Sequence, residues 1–348
     1  MNEISIAGRR IGPGAPTYVI AEVSANHGQN FDEAIRIIDA AKTAGADAVK
    51  LQTYTPDTIT IDSDAEPFRI KGTIWNGRKL HELYREAYTP WEWQPKLMQH
   101  AAALGMHCFS SPFDDTAVDF LEGLNPPAYK IASFEMIDVP LIRRVAATGR
   151  PMIISTGMAT LSEIEEAVDT ARGAGATQIA LLKCTSGYPA EPEEMNLRTI
   201  PHLAQAFGVV AGLSDHTLSP AIAIAAVTLG ASIVEKHLTI SRAAGGPDSA
   251  FSLEPEEFKT LVTQLRVTER ALGRVHYGVS EREAASRVFR RSLFAVADIV
   301  PGESLTSNNI RSIRPGHGLH PRYLDQVLTR KAACAIPRGT PLQWNHLL

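Results

Sequence analysis

Short, near-continuous apolar runs alternate with longer segments of helical spacing over most of this chain. The runs fall at residues 18–23, 47–52, 106–111, 128–133, 151–157, 178–186, 209–213 and 232–235. Runs of that length, apolar without polar alternation, fit strands of a parallel sheet buried on both faces. Helical segments begin near Asn30, Pro95, Thr116, Val139, Ser162, Leu197 and Pro220, and a last one covers 254–272. Asn30 with Glu33 predicts an N-cap. Phe31, Ala34, Ile35, Ile38 and Ala41 then share one face, and Gly45 ends the helix. Ser162 with Glu165 predicts a capping box. Eight strand–helix units predict the α/β class and a closed (β/α)8 TIM barrel over residues 1–273.

Three stretches stand outside the alternation. Runs 4–11 and 18–23, split by Gly12-Pro13-Gly14-Ala15-Pro16, read as a hairpin ahead of the main fold. Residues 53–95, rich in aromatic and turn residues, read either as a functional lid or as a peripheral subdomain. After Gly273 a polar linker, 274–290, leads to a small β-rich domain, 291–348.

Each predicted strand brings polar or ionisable groups to its carboxyl end. They are Glu22, Lys50 with Gln52, Ser110 with Ser111, Lys130 with Ser133, Ser155, Lys183 with Ser186, His216, and His237. Barrel active sites lie at that face, so the pattern points to an enzyme. His216 and His237, at equivalent ends of adjacent strands, suit a divalent metal; backbone hydrogen bonds would satisfy the same two imidazoles. Lysines and serines together suit a phosphorylated or carboxylated anion. A metal on two histidines keeps open positions and polarises a carbonyl, while Glu22 orients or deprotonates a water. Carbon–carbon bond formation with a phosphorylated pyruvate equivalent follows. The residue types alone also allow a Schiff-base aldolase with a desolvated lysine.

Composition narrows the partners. The chain has 348 residues, 44% of them hydrophobic and 21% charged, and a formal net charge of -4. No basic run suggests nucleic acid. No apolar run reaches the ~20 residues of a membrane span, and the first residues lack a signal peptide's apolar core. Cys108, Cys184 and Cys334 are odd in number and widely spaced, which fits a reducing cytoplasm.

Several of these stretches resemble one family. Glu22 with Asn26-His27, Lys50-Leu51-Gln52, Phe109-Ser110-Ser111-Pro112-Phe113, Tyr129-Lys130-Ile131-Ala132-Ser133, Ser155-Thr156-Gly157-Met158, Cys184-Thr185-Ser186-Gly187-Tyr188-Pro189, Gly212-Leu213-Ser214-Asp215-His216 and Glu235-Lys236-His237 are similar to the sialic acid synthase family. The tail, with Phe289-Arg290-Arg291-Ser292-Leu293 and Arg314-Pro315-Gly316-His317-Gly318, resembles that family's antifreeze-like (SAF, β-clip) domain; taken alone, the tail would fit a carbohydrate- or ice-binding protein. The resemblance implies condensation of phosphoenolpyruvate with an open-chain N-acetylated amino sugar. It implies a divalent metal on His216 and His237, Mn2+ with Mg2+ or Co2+ as alternatives, and Glu22 positioning the attacking water. Lys50, Ser111, Lys130, Ser133, Ser155, Ser186 and Ser214 would hold phosphoenolpyruvate; at Ser111 many members carry threonine. Gln52, Tyr188 and Asp248 would face the sugar, with Lys183 bordering it. Stretches 71–75, 88–95, 183–186 and 246–253 resemble the branch whose sugar is a diacetamido-trideoxy altrose. Other branches take a diacetamido mannose or N-acetylmannosamine. By position Arg314 reads as a surface arginine. The resemblance instead implies a homodimer with swapped tails, in which Arg314 reaches the partner's barrel and its sugar.

Overall fold

The computed structural model describes residues 3–348. The chain divides into two compact units, Met1–Gly273 and Arg274–Leu348. In the first, two short strands, β1 (Ile4–Ile6) and β2 (Arg9–Ile11), precede eight barrel strands. These are β3 (Tyr18–Glu22), β4 (Ala48–Thr53), β5 (His107–Pro112), β6 (Tyr129–Ile131), β7 (Met152–Ser155), β8 (Ile179–Cys184), β9 (Val210–Asp215) and β10 (Ile233–His237). All neighbours are parallel, and β10 pairs back onto β3 to close the barrel. The TIM-barrel expectation is therefore met.

Closure gives each strand an inner and an outer set of side chains with period two. The outer set, including Val19, Val49, Leu51, Ile154 and Leu181, packs against the helices in one large core. Below the polar strand ends the inner set is apolar. Tyr18, Ile20, Phe109, Ile153, Leu182 and Ile233 belong to a second core that also contains Ile4, Ile6 and Ile11. Where β9 passes β10 only glycine fits. A Cβ on Gly212 would lie 2.5 Å from the Ile233 carbonyl oxygen and 2.7 Å from Leu182 Cδ2.

The N-terminal hairpin differs from the sequence reading. It closes inside residues 4–11, where β1 pairs antiparallel with β2. Residues 18–22 are instead the first barrel strand. Ala7 and Gly8, at φ 47° and 82°, make a two-residue turn of positive φ, the conformation whose twist matches a tight hairpin. The Gly-Pro break is only a connection. The hairpin's three isoleucines fill the barrel floor.

The first helix runs Phe31–Ala44. The Asn30 side chain accepts from the Asp32 and Glu33 amides, and Gly45 ends the helix at φ 90°. Its buried face is Ala34, Ile37, Ile38, Ala41 and Ala44, with Phe31 and Ile35 at the margin. The capping box before helix Leu161–Gly173 is Thr160 with Glu163, not Ser162 with Glu165. Both pairs have the required spacing. Thr160 is the first hydroxyl after the positive-φ exit at Met158, so it caps.

Residues 53–95 are part of the barrel unit. They hold short helices at Pro56–Ile59 and Leu80–Ala87 and single turns at Glu66–Phe68 and Trp91–Trp93. Trp91 Nε1 donates to the Tyr54 carbonyl at 3.1 Å, and Trp75 Nε1 to the Pro247 carbonyl at 3.0 Å. In the second unit, β11 (Ser292–Ala295) pairs antiparallel with β12 (Ile310–Ile313). Isolated bridges such as Ile299 with Ile336 surround a core of Leu293, Ile310, Val327 and Leu342. Among the described residues no helix is long and apolar enough to cross a membrane.

Ile6 is wholly buried in the floor core. Ile6→Ala removes three carbons from a packed site and is expected to cost about 2–5 kcal/mol. A lower midpoint for the barrel's thermal transition would register it; an unchanged midpoint would mean that the hairpin does not support the barrel.

Candidate active site

Above the apolar floor the inner positions turn polar. Glu22, Lys50, Gln52, Ser111, Lys130, Ser155, Ser214, Glu235 and His237 all continue the inward alternation of their strands, and His216 follows β9. They surround a cavity of about 480 Å3 at the carboxyl ends of the strands. Its lining includes Lys50, Gln52, Lys130, Ser133, Ser155, Tyr188, Ser214, His216, His237 and Asp248, as the sequence proposed. Glu22, Ser111 and Ser186 stand behind that surface. Glu22 pairs with Lys50 at 2.5 Å, Ser111 is the register partner of Gln52, and Ser186 lies beside Ser133 at Gly157.

Glu235 is the centre of the floor. Its Oε1 lies 3.0 Å from Lys50 Nζ, 3.2 Å from Lys130 Nζ and 3.4 Å from Ser214 Oγ. Burial works to raise its carboxyl, but Lys130 and Lys50 outweigh that and hold it down at about 2. Lys50 is pushed down by burial to about 8, against the pull of Glu235. With Glu22 also on Lys50, two carboxylates balance two ammonium groups, and both ammonium groups border the cavity while Glu22 stands behind it. Around them the hydroxyls of Ser111, Ser155 and Ser186 are buried without a partner. Orphaned buried donors call for a ligand, and donors grouped with lysines call for an anion. Gly157 makes room for this group. A Cβ there would collide with the Ser186 hydroxyl and lie 2.7 Å from that of Ser133, which accepts from the Gly157 amide at 3.1 Å.

The two imidazoles stand over this floor with ring centroids 5.3 Å apart. His216 Nδ1 lies 2.9 Å from the Thr185 carbonyl oxygen. That contact makes Nδ1 the donor, so in the neutral ring it is Nε2 that carries the lone pair. Burial pulls His216 down, yet the neighbouring Cys184 lifts it above its ordinary value. Burial first, then His216, Lys50 and other cations, drives His237 well below its ordinary value, so that ring is neutral. Its Nδ1 is buried with no partner. Nε2 of the neutral His216 ring and the orphaned Nδ1 of His237 would fit a divalent metal. No group of three His, Cys, Asp or Glu converges among the described residues, so the protein would supply two ligands and substrate or water the rest.

The wall above is assembled from loops. Tyr188 packs at 4.5 Å from His216 and 4.9 Å from Phe251. Asp248 accepts from the Ser24 hydroxyl and from the Ala25 amide. Burial raises its carboxyl, and those donors oppose the shift. Gln52 Nε2 lies 2.9 Å from Ser24 Oγ and 3.3 Å from Glu22 Oε1. The 53–95 segment provides the far side with Tyr54, Ile59, Ile70, Trp75, Leu80, Leu83 and Tyr84.

One expectation changes. Lys183 is not brought into the cavity. It is an outward position of β8, and its ammonium donates to the Cys184 carbonyl and the Thr185 hydroxyl at 2.7 and 3.2 Å. The inward residue there is Cys184, whose thiol burial would raise but whose neighbour His216 brings down to about 6. Arg314 is exposed in the second unit, directly after β12. The residues that the sequence reading did not select are Glu235, Cys184, Ser24 and Glu135. Glu235 was accessible in principle, since it shares the inward parity of His237. Glu135 carries a buried unpartnered oxygen, and burial pushes it up to about 7; it lies on a turn after β6 where no periodicity marks it.

Fold and site together define a (β/α)8 enzyme with a buried anion floor beneath a two-imidazole centre. The chain belongs to the NeuB family, whose profile matches residues 37–277, with an SAF domain matching residues 290–348. The family resemblance read from the sequence is thus borne out. The chain is 44% identical to the pseudaminic acid synthase of Helicobacter pylori, across 95% of this chain and 98% of that one. It is also 44% identical to the pseudaminic acid synthase of Campylobacter jejuni, across 94% and 95%. The crystal structure of the Bacillus subtilis spore coat polysaccharide biosynthesis protein SpsE is 36% identical, with a TM-score of 0.67 over 99% of each chain.

The Lys50 shift gives opposite effects on stability and binding. Between about 8 and its ordinary 10.5 the unfolded chain holds the proton more tightly, so this group's contribution to stability rises with pH. Anion affinity runs the other way. Binding of sulfate, whose own charge is constant there, is expected to weaken as pH rises through about 8. In Lys50→Met the affinity is expected to be low and that step absent. Titration calorimetry would show it, and a wild-type affinity flat through that pH would mean that Lys50 does not supply the charge.

Proposed function

We propose that this chain condenses phosphoenolpyruvate with 2,4-diacetamido-2,4,6-trideoxy-β-L-altropyranose, in its open-chain form, and water to give pseudaminic acid and phosphate. The observation that carries the reaction class is the grouping of Lys50, Lys130 and partnerless serine hydroxyls beneath two imidazoles. The choice of sugar is supported by the 44% identity to two pseudaminic acid synthases. It is supported also by the apolar wall of Ile59, Ile70, Leu80 and Leu83, which suits the sugar's C6 methyl and the methyls of its two acetamido groups.

Lys50, Lys130, Ser155 and the serines around them would bind the carboxylate and phosphate of phosphoenolpyruvate. The C3 carbon of the enol then bonds to the sugar's aldehyde carbon, whose oxygen takes a proton and becomes a hydroxyl. A divalent metal on His216 and His237, Mn2+ in our reading, would supply Lewis-acid polarisation of that oxygen. Glu22, held by Lys50, Gln52 and the Ser24 amide, would orient a water toward C2. Addition of that water, loss of its proton and cleavage of the bond to phosphate leave the keto acid and inorganic phosphate. Asp248 and Tyr188 would face the sugar. We place the reaction in the cytoplasm, consistent with three free cysteines.

Phosphate release with three sugars tests the substrate. The altrose derivative is expected to exceed the diacetamido mannose and N-acetylmannosamine in kcat/KM by about 10–200-fold, the range one pocket contact provides. A preference for either of the other two would overturn the sugar while leaving the reaction class in place.

We further propose a homodimer in which Arg314 of one chain completes the site of the other. Arg314→Ala and His216→Ala, each inactive, are co-expressed with different tags. The mixed dimer is expected to regain one complete site; a dead mixed dimer of two folded variants would place the arginine in cis.

A further inference from the structure

The buried pair of Asp215 and Lys236 has no part in the chemistry above. The two residues are register partners on β9 and β10. Both point away from the barrel axis, because Ser214, Glu235 and His237 point toward it. Neither side chain is exposed, at 0% each, and Lys236 Nζ lies 2.8 Å from Asp215 Oδ2. The same ammonium donates to the Thr217 carbonyl. The other carboxylate oxygen, Oδ1, accepts from the Thr217 amide at 2.9 Å.

These contacts hold the residue before His216 and the residue after it. They do so from the residue immediately before His237. A buried ion pair is poor ground for stability, since desolvation offsets most of the attraction, and apolar side chains of similar volume often serve as well. Here it does something that apolar packing cannot. One ammonium reaches a carboxylate and a backbone carbonyl at once, and the carboxylate closes the 215–217 turn from inside. Both bonds are directional, so the turn is fixed in rotation as well as in distance. The Thr185 carbonyl then holds the His216 ring itself.

We propose that the Asp215–Lys236 pair is a positioning device for the two-imidazole centre, setting His216 against His237 at the separation that one divalent cation requires. The proposal rests on the reading of these two histidines as metal ligands. Residues that orient ligands from behind typically change metal affinity by about 10–100-fold when removed.

The full chain, freed of metal, serves for the test. Lys236→Met leaves a buried carboxylate unpaired and risks unfolding, so the informative variant is the double Asp215→Asn/Lys236→Met. It is uncharged and keeps an acceptor for the Thr217 amide. Mn2+ affinity is read from the spin-resonance signal of the free ion, sulfate affinity by calorimetry, and folding by the thermal midpoint without metal. The double variant is expected to fold and to bind sulfate like the wild type, while its Mn2+ affinity falls about 10–100-fold. Wild-type Mn2+ affinity in the folded double variant would overturn the proposal. Equal loss of sulfate and Mn2+ binding, or failure to fold, would assign the pair to general stability and overturn it too. If His216→Ala binds Mn2+ as tightly as the wild type, the ligand reading itself falls, and this outcome is separate from the others.

Discussion

A carboxylate closed between two ammonium groups at the floor of the barrel is the constraint on which the site depends. A buried lysine without a counterion loses its proton and with it any use as an anion receptor. Glu235 offsets that cost for Lys50 and pairs with Lys130 too, and Glu22 gives Lys50 a second carboxylate. The two ammonium groups and two carboxylates balance in charge, and both lysines border the cavity while Glu22 stands behind it. A solvated version of the same four residues would be screened and worth little. The floor of Tyr18, Phe109, Ile153 and the hairpin isoleucines excludes water from below, so fold stability and site chemistry meet in one layer.

Close approach is the second requirement, and glycines meet it where side chains cannot. Gly212 lets β9 lie against β10, which brings Ser214 beside Glu235 and His216 near His237. Gly157 lets two serine hydroxyls converge from neighbouring loops. The 53–95 segment then closes the far wall through Trp75 on the Pro247 carbonyl, which joins it to the loop that carries Asp248 and Phe251. The cavity is charged at its base and apolar at that wall. Such a division favours a ligand with an anionic reacting end and a less polar body.

The sequence by itself determined the barrel, because eight apolar runs buried on both faces leave no other closed arrangement for their helices. It determined the chemistry of the strand ends as well, since Glu22, Lys50, Lys130, Ser155, His216 and His237 occur where strands stop. What it could not determine was which neighbour at each strand end points inward. Phase along a strand depends on where pairing begins, and a shift of one residue exchanges the two faces. So Lys183 and Cys184 were interchangeable on paper, and the register of β8 against β9 put the cysteine in the cavity and the lysine outside. The same phase made Glu235 the hub and sent Lys236 outward to Asp215. Contacts between residues far apart in the chain, such as Ser24 with Asp248 or Trp75 with Pro247, were decided only by the tertiary structure. No local pattern specifies them, because their partners meet only when the barrel closes.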